Sequence, residues 1–208
     1  MKNQDYLYLD HAASTPMRKS AMDKYIEAES YGYANSSGGH KLSRNSKNLL
    51  EDSREKIAEL LNAAQGEIVF TSGGTEADNW TIKSLFNSER PNDNLVTSNI
   101  EHEAVIASAE WVSSNGFHTK YAKSDKNGLV TKDEFLGQVD NDTKVASLMW
   151  GNNETGIIQP IKDIAREIKT INSSTLFHSD VVQGIISDNI DFHRNGIESA
   201  AISAHKIG

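Results

Sequence analysis

Leu95-Val96-Thr97-Ser98-Asn99-Ile100-Glu101-His102, followed by Ala104 to Ser114, is the stretch that decides the fold class. The first four residues suit a buried strand. The next four break it with polar groups. Val105, Ile106, Ala109 and Val112 then recur at helical spacing. One strand hands over to one helix through a short polar loop, which is the repeating unit of an α/β sheet.

The same unit recurs on both sides. Ile68-Val69-Phe70-Thr71 predicts a strand ahead of a helix over Thr75 to Phe86. Phe117 to Ala122 predicts a strand, then a turn at Lys126-Asn127-Gly128. Thr131 and Glu134 have the spacing of a capping box for a short helix. Val145 to Trp150 predicts a strand, and Pro160 opens a helix carrying Ile161, Ile164, Ala165, Ile168 and Ile171. Thr175 to Ser179 and Ser199 to Ser203 predict two more strands. Upstream, helices are expected over Arg18 to Ser30 and over Arg44 to Leu61. The second has Leu49, Leu50, Ser53, Ile57, Leu60 and Leu61 on one face. The expected architecture is three-layer α-β-α around a mainly parallel, mixed sheet.

Composition narrows the function. The 208 residues hold 21 Lys+Arg against 29 Asp+Glu, a formal charge of −8, which argues against nucleic acid or an anionic membrane as partner. Cysteine is absent, so these residues hold no disulfide, thiolate metal site or cysteine nucleophile. Met1-Lys2-Asn3-Gln4-Asp5 leads into no apolar signal segment, and no apolar run approaches the ~20 residues of a membrane span. A cytoplasmic location is the expectation. His102-Glu103-Ala104-Val105-Ile106 lacks the second histidine of a zinc protease, and Asp125-Lys126-Asn127-Gly128 lacks calcium-loop spacing, so no metal is expected.

In open α/β sheets, ligands sit at the carboxyl ends of the strands. Five such ends carry polar groups here: Ser72-Gly73-Gly74-Thr75-Glu76, Asn99 to His102, Gly151 to Gly156, Asp180 with Gln183, and Ser203-Ala204-His205-Lys206. Gly73-Gly74-Thr75 opens a helix and could take an anion on its free N–H groups, or be a glycine turn with Thr75 as cap. His102 could stack on an aromatic cofactor or be a solvated histidine. Asn153 could bind a ring hydroxyl or a carboxylate, or be a turn residue. Asp180 could pair with a pyridinium nitrogen or cap a helix, and Gln183 could donate to a ring oxygen or face solvent. Lys206, beside Ser203 and His205, could hold an aldehyde as a Schiff base, which is what a pyridoxal phosphate (PLP) enzyme needs. All these roles fit one ligand.

The phrases Tyr8-Leu9-Asp10-His11-Ala12-Ala13-Ser14-Thr15-Pro16, Asn35-Ser36-Ser37 with His40, Thr71 to Glu76, Glu101-His102, Asn152 to Gly156 and Ser203 to Gly208 run through the chain in this order. Together they resemble the cysteine desulfurases of the NifS/IscS-like group, among the class V aminotransferase-type PLP enzymes of fold type I. The resemblance implies a Schiff base between PLP and Lys206, with His102 stacked on the ring and moving protons. It implies Asp180 on the ring nitrogen, Gln183 on the ring oxygen, and Gly74, Thr75, Ser203 and His205 on the phosphate. Asn153, His11 and Asn35 would position the substrate. The implied reaction converts L-cysteine to L-alanine and passes sulfur to an enzyme cysteine as a persulfide. The implied partners are a second copy in a homodimer and a sulfur acceptor, either an iron–sulfur scaffold or a tRNA-thiolation protein.

Members of that group are about twice as long. The resemblance therefore implies residues 1–15 as a segment that packs with a small domain, and residues 16–208 as an incomplete PLP-binding large domain. The acceptor cysteine and the arginine for the substrate carboxylate would lie in the other half. Ser36 stands where many relatives have proline. The alternatives are another class V lyase or aminotransferase, and a module that binds PLP or a partner without turnover.

Overall fold

The structure is a computed structural model that describes residues 7–86, 90–186 and 191–208. Five parallel strands form one sheet in the order β2-β1-β3-β4-β5: β1 Asn94–Ser98, β2 His118–Ala122, β3 Thr143–Ser147, β4 Leu176–Asp180 and β5 Ser199–Ala201. Seven helices accompany it among the described residues: α1 Lys19–Tyr31, α2 Lys41–Leu61, α3 Gly74–Ser84, α4 Glu103–Ser114, α5 Lys132–Leu136, α6 Ile161–Ile171 and α7 Phe192–Asn195. None is long and apolar enough to cross a membrane.

Alternation along the strands builds two cores. Leu95 and Val145 point to one face and pack with Ile82 of α3 and Val105, Ala109 and Val112 of α4. Their neighbours Val96 and Ala146 point to the other, with Phe177, Phe135 of α5 and Ile161, Ile164 and Ile168 of α6. The central strands are buried on both faces, as a parallel sheet between helix layers requires. Trp150 is 1% exposed and belongs to the second core.

Several expectations change. Ile68 to Thr71 is not a strand: among the described residues no strand pairs with it. Arg54 instead donates to the Ile68 carbonyl and lies over the Phe70 ring. Regular strand geometry ends at Ser147 and Ala201, short of Trp150 and Ser203, although the Leu148 and Trp150 N–H groups still donate to β4 carbonyls (3.2 and 2.8 Å). The capping box is half formed. Thr131 Oγ1 accepts from the Glu134 N–H (3.3 Å), but Glu134 Oε1 accepts from the Lys123 N–H. Leu60 is 79% exposed; Ala58 and Leu61 are the residues that α2 buries near its end. α1 buries no residue, leaving Tyr25 and Ile26 about three-fifths exposed.

Candidate active site

The strand ends and helix starts meet along one rim. α3 begins there at Gly74. The cap position falls on Gly73, so Thr75 sits in the first turn rather than capping it. A Cβ on Gly74 would lie 3.1 Å from Val182 Cγ2 and 3.8 Å from Ser203 Cβ. That closeness brings the α3 N-terminus, the loop after β4 and the loop after β5 to one point. The first N–H groups of an 11-residue helix have no intrahelical acceptor and favour an anion.

Asp180 ends β4, is buried, and accepts a hydrogen bond from the Val182 N–H (2.9 Å). Burial and the charge of Asp78 raise its carboxyl to about 6, against the Val182 N–H, His178 and His102. Behind it lies a polar network that the sequence reading missed. His178 Nε2 is 3.0 Å from Asp78 Oδ1, with side chains 0% and 1% exposed. His178 Nδ1 meets Ser199 Oγ at 3.1 Å, and that hydroxyl meets Thr81 Oγ1 at 2.8 Å. The available signal was a histidine inside an otherwise buried strand, two residues before Asp180.

Glu101 was quoted with His102 in the sequence but given no role of its own. Its Oε1 accepts from Ser98 Oγ (3.0 Å) and the Met149 N–H (2.8 Å), tying the ends of β1 and β3 together. Burial first, with Asp180 and Asp78 adding repulsion, pushes its carboxyl well above the ordinary range. His102 caps α4: its Nδ1 accepts from the Ala104 N–H (3.1 Å), which puts the proton of the neutral ring on Nε2. Asn152 joins two loops: its Oδ1 accepts from the Glu154 and Thr155 N–H groups (3.0 and 2.8 Å), and its Nδ2 donates to the Ile100 carbonyl after β1 (2.9 Å). Asn153 beside it is exposed.

Lys206 lies just past the last strand. Its Nζ donates to the carbonyls of Ala12 and Ala13, the latter at 2.9 Å. Gln183 Nε2 donates to the same Ala12 carbonyl at 2.8 Å. The Thr15 N–H and Oγ1 both donate to the His205 carbonyl at 2.9 Å, and the Arg18 N–H to the Gly208 carbonyl at 3.1 Å. The segment from Ala12 to Arg18 is thus stitched across the rim. His11 packs its ring edge-on to Tyr8, with centroids 5.2 Å apart. Asn35 is engaged in its own turn, accepting from the Ser37 N–H (3.0 Å) and Oγ (2.8 Å), with no hydrogen bond to the rim.

Comparison with known proteins identifies the family. Residues 7–208 match the family model described as "Aminotransferase class-V". The chain is 37% identical over 202 residues to the cysteine desulfurase IscS of Methanosarcina thermophila, covering 97% of this chain and 50% of that protein. A solved structure titled "NIFS-LIKE PROTEIN" superposes with a TM-score of 0.92 at 34% identity, over 96% of this chain and 55% of that one. Another, titled "SspA in complex with cysteine", gives 0.90 at 32% identity, over 96% and 57%. The chain spans about half the length of the curated relatives it matches. A family match over residues 7–208 places this chain in the class V aminotransferase family.

Proposed function

We propose that the chain forms the cofactor-binding half of a cysteine desulfurase. The observation that carries this is the convergence of three unlike groups on one rim: the Lys206 amine, the buried Asp180 carboxyl and the α3 N-terminus at Gly74. They match the aldehyde, ring nitrogen and phosphate of pyridoxal 5'-phosphate. That cofactor, when bound, supplies an electron sink for the bond broken in the substrate.

The residues then divide the work. Gly74 and Thr75 offer N–H groups to the phosphate, with Ser203 and His205 beside them. Asp180 holds the proton of the ring nitrogen. Lys206 would hold the aldehyde carbon through its amine, which in this structure donates to the Ala12 and Ala13 carbonyls. Gln183, which in this structure donates to the Ala12 carbonyl, would hold the ring oxygen. His102 has Nε2 to hold or move a proton, because Nδ1 is spent on the cap. Asn153, His11 and Asn35 would hold the substrate.

The substrate on this reading is L-cysteine and the product L-alanine. The carbon–sulfur bond of cysteine breaks, and sulfur joins a thiol to form a persulfide. That thiol, absent from these 208 residues, belongs to the other half of the whole protein. The whole protein works as a cytoplasmic homodimer and passes sulfur to an iron–sulfur scaffold or a tRNA-thiolation protein. Residues 1–15 belong with its small domain and residues 16–208 with the large one.

Borohydride trapping tests the reading. PLP is added to the purified chain, the adduct is reduced, and its peptides are mapped by mass. A pyridoxyl group on Lys206, lost in Lys206→Ala, is expected. Label spread over surface lysines, or none, would reject the site. The chain alone should give no alanine from L-cysteine with a reductant, whereas the whole protein should.

A further inference from the structure

We propose that His178 and Asp78 act as positioning residues that set the charge on Asp180, holding its carboxylate ready for the ring nitrogen of the cofactor. The inference rests on the function proposed above only for the identity of that ligand.

The geometry comes first. His178 is fully buried in β4, with β3 on one side and β5 on the other. Both ring nitrogens are engaged, Nε2 with Asp78 Oδ1 (3.0 Å) and Nδ1 with Ser199 Oγ (3.1 Å). Residues two apart on a strand share a face, so His178 and Asp180 stand side by side, roughly 7 Å apart along β4. Asp78 comes down from α3 onto that same face. The pair therefore lies directly behind the carboxyl that ends the strand.

Stability alone gives a weak reason for such a pair. A buried histidine–carboxylate pair loses hydration on both partners, and an apolar pair of the same volume is often as stable or more so. A role in tuning the neighbouring charge accounts for the polar choice.

The groups that act on Asp180 are few. Asp78 from α3 disfavours its charge; His178 from β4 and His102 from the start of α4 favour it. Glu101, also ahead of α4, is pushed up first by burial, with the charge of Asp180 adding to the push. His178 thus offsets Asp78, and the two partners pull Asp180 in opposite directions. Removing one is expected to do the reverse of removing the other.

The test is a carbon-13 NMR titration of the Asp180 carboxyl in the ligand-free chain, in the wild type, His178→Gln and Asp78→Asn. His178→Gln should raise its proton affinity about tenfold. Asp78→Asn should lower it several-fold, and the double variant should fall between. Shifts in the same direction, or changes below twofold in both, would overturn the proposal. So would loss of fold in both variants, which would assign the pair to stability alone. The dissociation constant of added PLP should weaken about tenfold in His178→Gln. A wild type that binds no PLP would defeat the proposed function, while the carboxyl titration would still decide this inference.

Discussion

Gly184→Ala probes the packing that holds the loop after β4. A Cβ at this position would lie 2.4, 2.5 and 2.7 Å from Cδ1, Cγ and Cβ of Trp150. Contacts under 3.0 Å force something to move, and Trp150 is 1% exposed inside the larger core. Overpacking of this kind costs about 1–3 kcal/mol. Reduced freedom of the unfolded chain returns about 0.4–1 kcal/mol. The net loss is then roughly 1–2 kcal/mol, or about 2–8 °C in melting temperature for a domain of this size. Gly39→Ala is the control, because nothing lies within 4 Å of its Cβ. Urea unfolding should show a lower midpoint for Gly184→Ala and none for Gly39→Ala. Equal midpoints would refute the packing argument. Gln183 precedes Gly184, so the same variant should loosen the Gln183 contact with Ala12 and weaken PLP binding.

Three further outcomes are expected. Asp180 has a carboxyl raised from 3.8 to about 6, so the folded state binds its proton more tightly than the unfolded state. Its effect is least harmful below about pH 4, and stability falls as pH rises from there through about 6. Asp180→Asn should therefore stabilise the ligand-free chain at pH 7 by up to about 3 kcal/mol and flatten that window in urea titrations. Asp140 behaves oppositely. Partial burial resists its ionisation, yet Lys120, Asn94, the Asp142 N–H and Thr143 together lower its carboxyl to about 2. That contribution is present above about pH 4 and disappears as pH falls through about 2; the side chain is about half exposed and water screens its ion pair, so Asp140→Ala should shrink the acid limb of unfolding and cost only about 1 kcal/mol at pH 7. Finally, Gly74→Val should fill the space beside Val182 and Ser203 and weaken PLP affinity at least tenfold by absorbance titration, with a small change in melting temperature.

The sheet was legible where periodicity was strong. Leu95 to Ser98 followed by a helix carrying Val105, Ala109 and Val112 reads the same way in sequence and in space. So do the polar groups that end the strands, because a parallel sheet puts every carboxyl end on one rim. Ile68 to Thr71 misled because its apolar content meets the composition of a strand, while pairing depends on a neighbour that local sequence does not reveal. The link between His178 and Asp78 joins residues 100 positions apart, so neither residue announces it alone. The segment from Ala12 to Arg18 could be quoted as a phrase, but its lie across Lys206 rests on backbone carbonyls, which carry no sequence signature.

Those carbonyls join positions 193 and 194 residues apart. Closing a loop that long costs about 4–5 kcal/mol in chain entropy on the logarithmic scaling of loop closure. One hydrogen bond offsets only about 1 kcal/mol of that, so the contact can persist only after the sheet has already brought its ends near each other. During synthesis the early segment leaves the ribosome long before Lys206 does. The rim is thus completed in a late step of folding, and cofactor capture at Lys206 would report that the preceding strands are in place.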